Sequence, residues 1–223
     1  MLTRSVVSGH LQPGEPDRMS TLDFNATDCL LIIDVQNDFC AGGSLAVPDA
    51  DTIVSTINQL SEQCSTVVLT QDWHPAGHSS FASVHEGKSP FDPITLPYGE
   101  QTLWPDHCVQ GSHGSRFHPE LQTDSGQMII RKGFRHAIDS YSAFFENDHA
   151  TSTGLTGYLK DRAIKRVVCV GLALDYCVRF SAIDARREGF DSIVIDSACR
   201  GIDVNGSNDD ARQQMQKAGV ELL

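Results

Sequence analysis

Three side chains able to bind a metal ion leave the end of one apolar run. Asp72, His74 and His78 stand in Asp72-Trp73-His74-Pro75-Ala76-Gly77-His78, directly after Thr66-Val67-Val68-Leu69-Thr70. The run predicts a buried strand, and Pro75 and Gly77 keep the following segment from being helical. One carboxylate with imidazoles suits a borderline divalent cation such as Zn, Fe(II) or Mn. A fourth candidate ligand, His107, lies in Leu103-Trp104-Pro105-Asp106-His107-Cys108. Nine histidines are present, so a histidine alone says little. The case depends on what stands at the other strand ends.

Each of them carries a reactive group. Asp34 interrupts Leu31-Ile32-Ile33-Asp34-Val35. A carboxylate there is expected to be buried, with a raised pKa unless a cation answers it. Lys132, followed by Gly133, closes Met128-Ile129-Ile130-Arg131 and can supply that counter-charge. Cys177 follows Val168-Cys169-Val170-Gly171-Leu172-Ala173 at the expected start of a helix, where free N–H groups favour a thiolate. The Gly171-Leu172-Ala173 turn can aim backbone N–H groups at an oxyanion. Cys108 is the rival nucleophile, but no helix start stands behind it. Nucleophile, base and counter-charge together follow the logic of covalent acyl transfer.

Short apolar runs and helical periodicities alternate to position these groups. Strands are expected at 29–35, 66–71, 127–131, 166–171 and 192–196, with the start of a last one at 220–223. Helices are expected at 51–64, 153–162, 177–188 and 209–218. This order predicts a three-layer α/β/α fold with a central, mostly parallel sheet of five to six strands. Such sheets bind ligands outside the carboxyl ends of their strands. Residues 74–125 break the rhythm and predict a lid and metal-binding excursion within one domain over 25–223. Residues 1–24 are expected to be a disordered tail without the apolar core of a secretory signal, and Met19 offers a second start position.

The chain has 223 residues, 40% of them hydrophobic, and a net charge of −12. That balance argues against nucleic acid or an anionic membrane as partner, and no apolar run reaches the ~20 residues of a membrane span. Seven cysteines with no signal peptide predict a reduced, cytoplasmic protein rather than a disulfide scaffold. Aromatic residues in the excursion leave room for a homo-oligomeric interface.

Five stretches together resemble the nicotinamidases of the isochorismatase-like cysteine hydrolase family. They are Asp34-Val-Gln-Asn-Asp-Phe39, Gln71-Asp-Trp-His-Pro-Ala-Gly-His78, Leu103-Trp-Pro-Asp-His-Cys-Val-Gln-Gly111, Arg131-Lys-Gly133 with Asp139-Ser-Tyr-Ser-Ala-Phe144, and Val170-Gly-Leu-Ala-Leu-Asp-Tyr-Cys-Val178. The resemblance implies a triad of Asp34, Lys132 and Cys177, with an oxyanion hole at the backbone of Ala173 and Cys177. It also implies one divalent metal ion (Zn, Fe or Mn) on Asp72, His74, His78 and His107, and a cis peptide bond at Leu172-Ala173. Phe39, Trp104, Tyr141 and Leu172 match substrate-contacting positions, and the implied reaction is hydrolysis of nicotinamide to nicotinic acid and ammonia. Leu174 departs from the pattern, where relatives often carry Thr. The rival readings are a hydrolase of another small carboxamide, a carbamoyl compound or a vinyl ether, and a non-catalytic metal-binding module.

Overall fold

The computed structural model describes residues 22–223. Met19 and residues 1–21 of the expected tail lie outside the described residues. The first strand, β1 (Asp28–Ile33), is buried along its whole length. A 3₁₀ turn (Ala50–Ile53) leads into α1 (Val54–Ser61), which returns the chain to β2 (Val67–Asp72). The excursion then carries β3 (Pro93–Leu96) and β4 (Gly99–Thr102), paired as an antiparallel hairpin, before β5 (Gly126–Lys132). The rest alternates as expected: α2 (Leu155–Asp161), β6 (Arg166–Leu172), α3 (Arg179–Arg187), β7 (Asp191–Arg200), α4 (Ser207–Lys217) and β8 (Glu221–Leu222).

The six main strands form one sheet in the order β5-β2-β1-β6-β7-β8, and every pairing is parallel. Alternate residues of β1 divide between the two faces. Leu30 and Ile32 pack with Ile53, Ile57 and Leu60 on one side. Cys29, Leu31 and Ile33 pack with Leu155, Leu159, Ala182, Ala185 and Met215 on the other. Three layers result, and the strand runs are continuously apolar because both faces are covered.

The structure differs from the sequence reading in three places. The excursion is not wholly irregular, because Pro93, Ile94, Thr95 and Leu96 pair across Pro97-Tyr98 with Thr102, Gln101, Glu100 and Gly99. This hairpin is too short and too exposed to show a hydrophobic alternation. The helix of Cys177 begins earlier, with a π-helical turn at Leu174–Val178 that runs into α3. Finally, β7 extends to Arg200, where an irregularity lets Cys199 and Arg200 pair with Gly171 and Leu172. The small and polar residues Ser197, Ala198 and Cys199 give no apolar run to read.

Candidate active site

The carboxyl ends of β1, β2, β5 and β6 lie side by side in the sheet and bring the predicted groups together. Asp34 has a left-handed backbone (φ 49°) just past β1, and Thr70 Oγ1 donates to its Oδ1 at 2.6 Å. Lys132 Nζ lies 2.7 Å from Asp34 Oδ2 and 3.4 Å from Cys177 Sγ. It also donates to Asp72 Oδ1 and to the Ser140 carbonyl, each at 3.1 Å. The Asp34 carboxyl acts on the Cys177 thiol and adds to the rise in its pKa. Asp34 and Lys132 are 0% exposed and Cys177 7%, so these charges interact without water between them.

Burial sets the proton affinities. It pushes the Asp34 carboxyl up, with Lys132 opposing. Burial works to lower the Lys132 pKa, but Asp34, Asp72 and Cys177 hold it well above the usual value. The Cys177 thiol is pushed well above its usual value by burial, again against Lys132. These shifts favour a neutral thiol, an Asp34 carboxyl that holds a proton more tightly than usual and a Lys132 that keeps its charge. A proton can pass from sulfur to Asp34 while the ammonium stays charged.

Close approach to the backbone decides two glycines. Gly171 (φ 115°) faces Ile33, and a Cβ there would stand 2.2 Å from the Ile33 carbonyl oxygen. Gly133 (φ 65°) leaves the space taken by the His74 ring, whose Cε1 a Cβ would meet at 2.5 Å. The peptide bond between Leu172 and Ala173 is cis.

Asp72 couples this cluster to the histidines. His74 Nδ1 donates to the Gly133 carbonyl at 2.9 Å, and His107 Nδ1 donates to the Pro105 carbonyl at 2.8 Å. Those bonds leave both Nε2 atoms facing Asp72 Oδ2, at 3.0 and 3.3 Å. Two imidazole nitrogens and a carboxylate oxygen converge only around a shared cation or proton, and backbone carbonyls fix ring tautomers in this way around metals. The donor set Asp72, His74 and His107 fits a divalent ion. His78 stands differently. Its ring lies 4.4 Å from that of His74, but Nδ1 accepts from Ser80 Oγ at 2.7 Å and Nε2 donates to the Arg135 carbonyl at 3.0 Å. His78 groups with His74 and Asp139 rather than with Asp72 and His107.

Cys177 and His107 open onto one cleft of about 330 Å³, lined also by Phe39, Leu45, Asp72, Trp104, Asp139, Tyr141, Ala173, Tyr176 and Ile202. Phe39, Trp104 and Tyr141 stand in its wall. Leu172 is fully buried in the core behind it. Cys108 is also fully buried, with its thiol raised by burial, and does not line the cleft.

Sequence reasoning missed Asp139, Tyr176, Ile202, Thr70 and Gln36. Gln36 holds the end of β2 by giving Nε2 to the Asp72 carbonyl and accepting the Asp72 N–H. Its signal was available, as a polar residue between Val35 and Phe39 two places after a buried carboxylate. Ile202 had none, since it is placed only because Asp175 accepts hydrogen bonds from the N–H groups of Ile202 and Asp203 and from Ser207 Oγ.

A three-layer α/β/α fold with an aspartate, a lysine and a cysteine at the carboxyl ends of β1, β5 and β6 defines a class of hydrolase, and this chain belongs to the isochorismatase domain family, whose model matches residues 28–223. Within that class the chain is 56% identical over 199 residues to the nicotinamidase of Acinetobacter baylyi, spanning 89% of this chain and 93% of that protein. The solved nicotinamidase/pyrazinamidase of Acinetobacter baumanii matches with a TM-score of 0.88 at 56% identity, over 89% of this chain and 96% of that one. The pyrazinamidase of Pyrococcus horikoshii in complex with zinc matches with a TM-score of 0.72 at 30% identity, over 88% and 98%. The family and the α/β fold read from the sequence alone both hold.

Proposed function

We propose that this chain is a nicotinamidase, a cysteine amidohydrolase that converts nicotinamide to nicotinic acid and ammonia in NAD salvage. One observation carries the reading. Lys132 touches Asp34, Cys177 and Asp72 at once, so the nucleophile and the histidine cluster share one cleft. Asp72, His74 and His107 would hold a divalent cation, and their nitrogen and oxygen donors suit Zn, Fe(II) or Mn. His78 would join them only after giving up its bonds to Ser80 and the Arg135 carbonyl. When bound, the ion supplies a Lewis acid for a pyridine nitrogen.

The chain's own groups perform the rest. Phe39 and Trp104 offer apolar faces to the substrate ring. The rigid wall holds the carboxamide over Cys177. Asp34 takes the thiol proton, and the sulfur forms a bond to the amide carbon. The backbone N–H groups of Ala173 and Cys177, both at the cleft, receive the oxyanion. Asp34 returns the proton to the departing nitrogen, and the C–N bond breaks to give ammonia and a thioester. Asp34 then deprotonates water, whose oxygen bonds to the carbonyl carbon as the C–S bond breaks, and Asp34 passes the proton to the departing sulfur as nicotinic acid leaves. Lys132 keeps its charge throughout and stabilises whichever neighbour is anionic.

Pyrazinamide, which keeps an aromatic ring nitrogen and the carboxamide, belongs to the same substrate class. We read residues 25–223 as one hydrolase domain acting in the cytoplasm on a small molecule. No helix among the described residues is long and apolar enough to cross a membrane. Ammonia release from a panel of small amides, combined with elemental analysis, tests the proposal. The expected result is fastest turnover of nicotinamide with about one metal ion per chain. A preference for a non-aromatic carbamoyl compound would overturn it.

A further inference from the structure

Gln101 is the one buried residue of β4, and it does not line the cleft. A buried amide is costly unless its hydrogen-bonding groups are answered, and two of the residues that answer it, Asp139 and Tyr141, do line the cleft. Nε2 lies 2.7 Å from Asp139 Oδ2, 2.7 Å from the Thr102 carbonyl and 2.8 Å from Tyr141 Oη. Oε1 accepts from Tyr98 Oη at 3.0 Å and from Asn147 Nδ2 at 3.2 Å. The amide orientation is fixed, because a carboxylate and a carbonyl can only accept. The Tyr141 oxygen also accepts from Trp104 Nε1 at 3.2 Å. Two N–H-bearing groups thus face the phenol oxygen. The other Asp139 oxygen accepts from the Ser140 N–H at 2.8 Å and stands 4.0 Å from His74 Nε2.

We infer that Gln101 is a positioning residue for substrate, which acts through Tyr141 and Asp139 and ties the β3–β4 hairpin to the polar wall of the cleft. The inference rests on the proposed amidase reading. It selects a carboxamide at position 101 for a physical reason. Glu would set a second carboxylate against Asp139 and remove both N–H donors, and Leu would leave the Asp139 oxygen without its Gln101 donor and the Tyr141 hydroxyl held by Trp104 alone.

The test compares Gln101→Leu, Gln101→Glu and Gln101→Asn with the wild type. The Leu variant is expected to raise KM for nicotinamide and Kd for nicotinic acid about tenfold while kcat changes less than about threefold, the scale of one lost hydrogen bond to a charged group. The Glu variant should be worse. In a Tyr141→Phe background the Leu effect should shrink to under about twofold, because coupled residues are not additive. An unchanged KM in folded protein, or an undiminished effect in both Tyr141→Phe and Asp139→Asn backgrounds, overturns the inference. If the Leu variant does not fold, the Asn variant carries the test, since its shorter amide keeps the polarity and loses the reach. An inactive wild type overturns the amidase reading alone. The positioning role is then read from a crystal structure of the Gln101 variant, where a Tyr141 ring still hydrogen-bonded to Trp104 would overturn it.

Discussion

The carboxyl edge of the sheet and the 74–125 excursion build the same cleft by different means. At the sheet edge, each reactive group stands at the end of a strand held in register by parallel pairing: Asp34 after the buried β1, Lys132 at the end of the half-exposed β5, Cys177 after the buried β6. In the excursion, position depends on isolated contacts. His74 bridges to Val109, Phe81 to Trp104, and the Gln36 side chain holds the Ser115 carbonyl. Strand ends place the bond-making atoms, and the excursion shapes what those atoms meet. Damage to the first should appear in kcat, and damage to the second in KM and metal content.

Cys177→Ala should give the largest effect, lowering kcat by about 10⁴-fold or more, as loss of a nucleophile does elsewhere. Metal content and Tm should stay near wild type, and a steady-state ammonia assay with elemental analysis checks both. Asp34→Asn should lower kcat by about 10²–10⁴-fold, the range for a lost general base, with KM little changed. Lys132→Met sharpens the comparison because it strands two buried carboxylates. A stability loss of about 3–5 kcal/mol is expected, read by urea unfolding. A milder loss would mean that Asp34 is protonated at rest. His107→Ala should weaken metal binding by at least about a hundredfold and raise KM more than it lowers kcat. Metal titration into stripped protein reads the first effect. A kcat collapse with full metal occupancy would break the division between the two regions. The smallest change is expected from Trp104→Phe, which keeps the apolar face and loses the N–H donated to Tyr141. KM should rise about three- to tenfold with kcat nearly constant.

The same division explains what could be read before the structure. Strands such as Cys29-Leu30-Leu31-Ile32-Ile33 are legible because burial on both faces demands an unbroken apolar run, and a carboxylate ending such a run stands out. Alternation of strand and helix then gives the sheet and its ligand-binding edge. The β3–β4 hairpin was not legible, since four-residue strands with exposed side chains leave no pattern. Gln101 was lost with it, because a buried amide looks in sequence like any surface glutamine. His78 is a different case. The Asp-Trp-His-Pro-Ala-Gly-His spacing is the same whichever nitrogen faces which partner, and only the Ser80 hydroxyl and the Arg135 carbonyl show how the ring is engaged.

Among the described residues β5 pairs only with β2, so the strand carrying Lys132 is the margin of the sheet, with Ile129 half exposed along it. Margins open at lower free-energy cost than interior strands. Fraying there would withdraw the one ammonium that serves both sulfur and histidines while the interior ladder stays intact. Thermal inactivation should therefore run ahead of the loss of far-UV circular dichroism on heating, and amide exchange over 126–132 should be faster than over 28–33.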